Sequence, residues 1–232
     1  MKTIGIIGAM EEEITSLKSK IEVVSAKNII GVDFYMGTMH GKNVVVVRSG
    51  IGKVNAAICT QVLIDLYAVD YIINVGVAGA LAAELEVGDV VISNELMHHD
   101  FDTTSFGDPI GVIPRMGTSV FKSDEALISI AKTSADSVLT NNKVFVNRIC
   151  SGDKFVAKKE DKSKIWSNFK AYCVEMEGAA IAQTCFLNKI PFVVIRSITD
   201  KADESADKAY TKNVDTASTN SCKIVEDMLL NI

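Results

Sequence analysis

Ile4-Gly5-Ile6-Ile7-Gly8-Ala9-Met10-Glu11-Glu12-Glu13 reads as a short apolar strand that ends in glycine and runs at once into three carboxylates. Apolar residues at consecutive rather than alternate positions mark a strand buried on both faces, as in sheets covered by helices on each side. Glutamates at its carboxyl end put negative charge where a dinucleotide or P-loop site wants amides and a lysine. The exit is therefore expected to handle water or hydroxyls rather than phosphate.

Similar apolar runs recur at Val44–Val47, Tyr71–Val75, Val90–Ile92, Val144–Ile149, Tyr172–Val174 and Phe192–Ile198. Between them, Met10, Ile14, Leu17 and Ile21 fall at helical spacing, and helices are expected over Val54–Leu66, Leu127–Val138, Glu177–Leu187 and through Val214, Ala217, Ile224, Val225 and Met228. Alternating strands and helices predict a three-layer α/β/α sandwich with a central mixed β-sheet. With 232 residues, 48% hydrophobic composition, three prolines and no linker, repeat or charge block, one domain over residues 1–232 is expected.

Ligands of such folds gather at the carboxyl ends of the strands. The unusual residues fall at these exits: Glu13, Ser49-Gly50-Ile51-Gly52-Lys53, Gly76-Val77-Ala78-Gly79, Ser151-Gly152-Asp153, Glu175-Met176-Glu177 and Thr199-Asp200. Glu13, Glu177 and Asp200 are the carboxylates expected to share one pocket. Acidic residues in a first helical turn are also stabilised by the macrodipole, and for Glu11 and Glu12 that plain reading suffices. Glu177 differs, because its small and apolar neighbours predict burial, and a buried carboxylate needs donors such as sugar hydroxyls. Arg196, inside Val193-Val194-Ile195-Arg196-Ser197-Ile198, requires a nearby carboxylate, either to pin the sheet or to orient a reactive water.

A net charge of -5 without a Lys/Arg cluster disfavours nucleic acid and anionic membranes as partners, which leaves a small molecule. No apolar run approaches the ~20 residues that span a bilayer, and the N-terminus runs straight into a strand, so a cytoplasmic location is expected. Five widely spaced cysteines fit reduced core thiols, and the three histidines include an adjacent pair, His98-His99, that is poorly disposed to share a metal. The glycine-rich exits match neither a Walker loop nor the dinucleotide fingerprint.

Seven ordered blocks carry a resemblance: Gly5–Glu13, Ser49–Ala57, Asn74–Leu81, Val87–Ser93, Ser151–Phe155, Val174–Ala182 and Pro191–Asp203. Together they resemble the 5'-methylthioadenosine/S-adenosylhomocysteine nucleosidases of the nucleoside phosphorylase superfamily. The resemblance implies hydrolysis of the N-glycosidic bond of a 5'-substituted adenosine without metal or organic cofactor. It implies that Asp200 protonates N7 of adenine, that Glu13 takes the proton of the attacking water, and that Arg196 helps orient both. Glu177 then holds the ribose hydroxyls, Met176 packs on the sugar, Phe155 stacks on adenine and the backbone of Val156 reads the base edge. An apolar slot for the 5' substituent includes Met10, Ile51 and Tyr210, with Phe106 and Pro114 reaching in from the second subunit of a homodimer.

Three positions depart from the family pattern: Val77 replaces a serine near the sugar, Ala80 a glycine, and Asp108 an often aromatic residue that would make the 5' slot more polar. These affect rate and preference rather than reaction class. The alternatives are a phosphorolytic relative, which needs cations for phosphate where this chain has Glu13, a hydrolase of aminofutalosine or 5'-deoxyadenosine, and a non-catalytic nucleoside-binding protein.

Overall fold

The computed structural model describes residues 2–232. Its elements run β1 (Thr3–Gly8), α1 (Thr15–Lys18), β2 (Glu22–Ile29), β3 (Val32–Met39), β4 (Lys42–Arg48), α2 (Lys53–Tyr67), β5 (Tyr71–Ala80) and β6 (Val90–His98). A 3-10 turn at Thr104–Phe106 precedes β7 (Phe121–Lys122), α3 (Glu125–Val138), β8 (Val144–Ser151), α4 (Lys159–Phe169), β9 (Cys173–Glu175), α5 (Gly178–Asn188), β10 (Phe192–Asp200) and α6 (Ala206–Asn231).

The strands form one mixed sheet with helices on both faces. Side-chain alternation sorts the core strands between two layers. Ile7, Val45, Val47, Ile72 and Val194 pack with Ala56, Cys59 and Leu63 of α2 and Ala182 and Cys185 of α5. Ile6, Val44, Val46, Ile73 and Ile195 pack on the other side with Leu127 of α3 and Ile224, Val225 and Met228 of α6. The expected three-layer architecture is thus present.

β5 organises the site. It pairs in parallel with β1 and with β10, and its last residues, Gly79 and Ala80, pair antiparallel with Val174 and Cys173 of β9. Because β9 also pairs with β8, β8 with β6 and β6 with β10, these strands close a ring of pairings that brings the ends of β5, β8, β9 and β10 together.

Several local expectations are corrected. The periodic stretch from Met10 to Ile21 contains only one turn of α-helix, although Ile14, Leu17 and Ile21 are buried as their spacing predicts. Residues 10–14 instead form tight turns, Glu13 donating to Met10 O at 3.2 Å and Ile14 to Glu11 O at 3.1 Å, while the Glu13 carboxylate accepts from the amides of Ala9 and Met10. Gly76-Val77-Ala78-Gly79 is not a loop but the second half of β5, and Thr199-Asp200 likewise completes β10.

The hairpin β2–β3, the strand β7 and helix α4 are additional to the expected set. Val23, Val24 and Lys27 of β2 face solvent, so no buried run announces that strand. Its usable signal was the turn: Ile30-Gly31 and His40-Gly41 both have positive φ at each position, the two-residue geometry that matches strand twist and that glycine favours.

Candidate active site

A cavity of about 480 Å³ opens at the joined strand ends and is lined by Glu13, Val77, Met176, Glu177, Asp200 and Tyr210, among others. Of the residues expected there, Met10, Ile51 and Phe155 also line it. Val156 borders a small adjoining void shared with Phe155, Met176 and Asp200. Phe106 and Pro114 do not line the cavity of their own chain, and Phe106 is 89% exposed. Asp108 does not line it either, and accepts a hydrogen bond from the Thr103 hydroxyl instead.

Glu13 is held by backbone amides. Its Oε2 accepts from Ala9 (2.7 Å) and Met10 (3.0 Å), and its Oε1 accepts from Val77 (3.0 Å). Burial nevertheless raises its pKa, against the pull of Arg196 and these three amides. Val77 therefore contributes its amide although it offers no hydroxyl.

Arg196 is 1% exposed and faces more than one carboxylate. Its Nη2 donates to Glu175 Oε2 (2.5 Å) and to Asn74 Oδ1 (2.6 Å), and stands 3.7 Å from Glu177 Oε2. The carboxylate that the arginine requires is thus chiefly Glu175, which the sequence reading passed over along with Asn74. The signal was present in Glu175-Met176-Glu177, two acids flanking one residue at a strand exit. Nε and Nη1 of Arg196 have no protein partner, and Nη1 lies beside Gly76.

Glu175 also ends its strand by capping the next helix. Its Oε2 accepts from the amides of Glu177 (3.0 Å) and Gly178 (2.7 Å), and its Oε1 accepts from the hydroxyl of Ser151, whose oxygen accepts from Ala179 (2.7 Å). Burial opposes its charge, but Arg196, Ser151 and the amides outweigh burial and hold Glu175 below the usual carboxylate range.

Glu177 is left with the weaker share. Its Oε1 accepts from the Gly52 amide (2.9 Å), while burial and the neighbouring Glu175 push its pKa up to about 8. A carboxyl whose folded pKa lies above its unfolded value favours the native state fully below the unfolded pKa, near ~4.3, and loses that contribution as pH rises through the folded pKa. Native stability is therefore expected to fall from about pH 4.5 to pH 8 and to level off above that, and Glu177→Gln to flatten that fall. Thermal unfolding across this range checks it; identical slopes would contradict the assignment.

Asp200 lines the cavity close beside Gly79. Its Oδ1 accepts from the Ala202 amide (2.8 Å) and its Oδ2 from the Thr199 hydroxyl (2.8 Å), while Ala202 adopts a left-handed φ of 50° that turns the chain away. Burial raises its pKa despite these two hydrogen bonds. The glycines of β5 make room for the acids: a Cβ at Gly76 would collide with Glu13 Oε1 and lie 2.6 Å from Arg196 Nη1. Gly76→Ala is expected to cost about 1–3 kcal/mol by urea denaturation and to lower turnover as well. An unchanged stability would mean that Glu13 is free to move.

These groups amount to a buried acid whose pKa is raised and a second acid fixed by amides, both lining an otherwise apolar cavity, with a buried arginine behind the lining. A family model described as the phosphorylase superfamily matches residues 3–230. A 5'-methylthioadenosine/S-adenosylhomocysteine nucleosidase of Colwellia psychrerythraea is 43% identical over 97% of this chain and 94% of its own length. The crystal structure of the nucleosidase of that name from Neisseria meningitidis, in complex with methylthio-immucillin-A, superposes with a TM-score of 0.96 at 43% identity over the whole of both chains. A futalosine hydrolase structure from Helicobacter pylori shares the fold at 34% identity and a TM-score of 0.94, over 100% of this chain and 98% of that one. The chain belongs to the phosphorylase superfamily and, within it, to the 5'-methylthioadenosine/S-adenosylhomocysteine nucleosidase family.

Proposed function

We propose that the protein hydrolyses the N-glycosidic bond of 5'-methylthioadenosine and S-adenosylhomocysteine, releasing adenine and the 5'-substituted ribose. The observation that carries hydrolysis over phosphorolysis is the cavity lining, which holds Glu13, Glu175, Glu177 and Asp200 and, among the described residues, no lysine or arginine. Such a cavity repels phosphate and accepts water.

Cleavage develops positive charge on the sugar, and adenine departs readily only if protonated. Asp200, raised by burial, gives its proton to N7 as the bond from C1' to N9 breaks. Glu13 takes a proton from the water whose oxygen joins C1', and Arg196, buried behind the lining, helps orient both through its charge beside Glu13. Glu177 meets the ribose hydroxyls beside Met176, Phe155 and Val156 hold the base, and Met10, Ile51 and Tyr210 receive the 5' substituent. Tyr210 packs edge-on against Phe155 at 5.8 Å and its hydroxyl donates to Met10 Sδ at 3.0 Å, which closes that slot on one side.

A homodimer fits the exposed apolar side chains Val54, Ile58, Phe106 and Leu187, with Phe106 and Pro114 of a second copy completing the 5' slot. A cytoplasmic location fits five buried cysteines in the free state, and no helix among the described residues is long and apolar enough to cross a membrane.

The test is adenine release from methylthioadenosine, S-adenosylhomocysteine and aminofutalosine, each with and without phosphate. Phosphate-independent release with free sugar is the expected result, and strict phosphate dependence overturns it. Glu13→Gln is expected to lower turnover by about 10²–10⁴-fold with nucleoside affinity retained. Its amide nitrogen also meets backbone donors where a carboxylate oxygen accepted them. Wild-type turnover in that variant would remove Glu13 as the base.

A further inference from the structure

Helix α2 begins without a side-chain cap of its own, at Gly52 with a φ of 99°. Its first two amides are taken by residues from elsewhere in the fold. Gly52 donates to Glu177 Oε1 at 2.9 Å, and Lys53 donates to Asp153 Oδ1 at 2.8 Å. The side chain of Lys53 donates to both oxygens of Asp100, at 2.6 and 2.8 Å, and its Nζ stands 3.9 Å from Asp153 Oδ2. Asp100 Oδ2 also accepts from the Asp153 amide at 2.9 Å, which closes the circuit. Three segments are thereby tied at one point: the start of α2, the loop after β6 and the loop after β8.

We propose that Lys53, Asp100 and Asp153 are positioning residues, a clamp that holds the Gly52 amide on Glu177 and so sets the preference for a ribose over a 2'-deoxyribose. The inference rests on the reading of Glu177 as the group that meets the ribose hydroxyls.

The physical argument is one of shared donors. Glu177 receives one backbone amide and lies 3.7 Å from an arginine already engaged with Glu175, so the orientation of its carboxyl depends on Gly52. Gly52 carries no Cβ to restrict its rotation, and within its own helix only its carbonyl is held, by the Ala56 amide at 3.1 Å, with no side-chain cap to fix its amide. The Asp153 cap and the Lys53–Asp100 pair supply that restraint from outside. A carboxyl that swings loses the hydroxyl contacts that separate ribose from its deoxy analogue, because discrimination of this kind comes from polar groups left unpaired. The contribution is one of geometry, and small displacements of a positioned group carry large kinetic penalties.

The experiment compares kcat and KM for 5'-methylthioadenosine and its 2'-deoxy analogue in wild type, Lys53→Met, Lys53→Arg, Asp153→Ala and Glu177→Gln, with thermal unfolding of each. Lys53→Met is expected to raise KM for the ribonucleoside by about tenfold, to change kcat less, and to reduce the ribose preference by a similar factor. Asp153→Ala should behave alike, and Lys53→Arg should restore most of the preference. Equal losses on both nucleosides, or unchanged preference in both Lys53→Met and Asp153→Ala while Glu177→Gln alters it, overturn the clamp and leave the Glu177 reading intact. Unchanged preference in Glu177→Gln as well overturns that reading, and the clamp with it.

Discussion

Asp200→Asn is expected to lower adenine release by about 10²–10⁴-fold while leaving nucleoside binding within a few-fold of wild type. The substitution keeps the shape of the side chain, and its carbonyl oxygen can still accept from the Ala202 amide that fixes the turn after β10. What it removes is the proton. Asparagine has no carboxyl to hold one at neutral pH, so adenine must leave as an unprotonated anion. Burial of Asp200 within β10 raises its pKa, which keeps the acid form populated closer to the working pH than an exposed aspartate allows. For a required acid, kcat/KM should fall as pH rises through that elevated pKa, and the Asn variant should lose this limb. Single-turnover adenine release together with equilibrium binding of the intact nucleoside separates the two effects. Turnover within threefold of wild type would show that base protonation comes from elsewhere.

The largest expected change in stability comes from Arg196→Met, a loss of about 3–5 kcal/mol. Methionine fills much of the arginine stem's volume, so the penalty is electrostatic. Glu175 loses its ion pair, Asn74 Oδ1 loses its donor, and Glu13 and Glu177 lose the nearest positive charge. Three buried carboxyls are then left with hydrogen-bond donors but without the arginine's positive charge. The pKa values of Glu13 and Glu177 move further up and that of Glu175 rises from its lowered position, so the native state is favoured below the unfolded value near ~4.3 and loses that advantage as pH rises. Urea denaturation at pH 5 and pH 8 should accordingly show the larger deficit at pH 8. Arg196→Lys should recover only part of it, because a single ammonium cannot address Glu175 and Asn74 with the geometry of a guanidinium edge. A deficit independent of pH would point to packing instead of charge.

The legible parts of this fold share one physical trait. Val44–Val47 and Val193–Ile195 are covered on both faces, so burial writes itself into the sequence as an unbroken apolar run. The hairpin β2–β3 lies at the end of the strand order and presents Val23 and Val24 to solvent, so no comparable run marks it. The stretch from Met10 to Ile21 kept its buried positions and lost most of its helix to tight turns over residues 10–14, where the Glu13 carboxylate accepts from the amides of Ala9 and Met10. At β5 the glycines suggested a loop, whereas they are strand residues whose missing side chains let Glu13, Arg196 and Asp200 lie close to the backbone.

The sequence by itself determined the layered α/β architecture and which acids stand at strand exits, because side-chain period and apolar content are local properties of the chain. Only the tertiary structure decided how the acids divide their partners. Glu175 and Glu177 are two residues apart, yet β9 ends at the first and the chain turns into α5 at the second. Glu175 therefore takes Arg196, Ser151 and the helix amides and is held ionised, while Glu177 is left with one amide from Gly52, more than a hundred positions away in sequence, and a pKa near 8. Desolvation and charge act through space, and the closed ring of strand pairings sets which distant groups share that space.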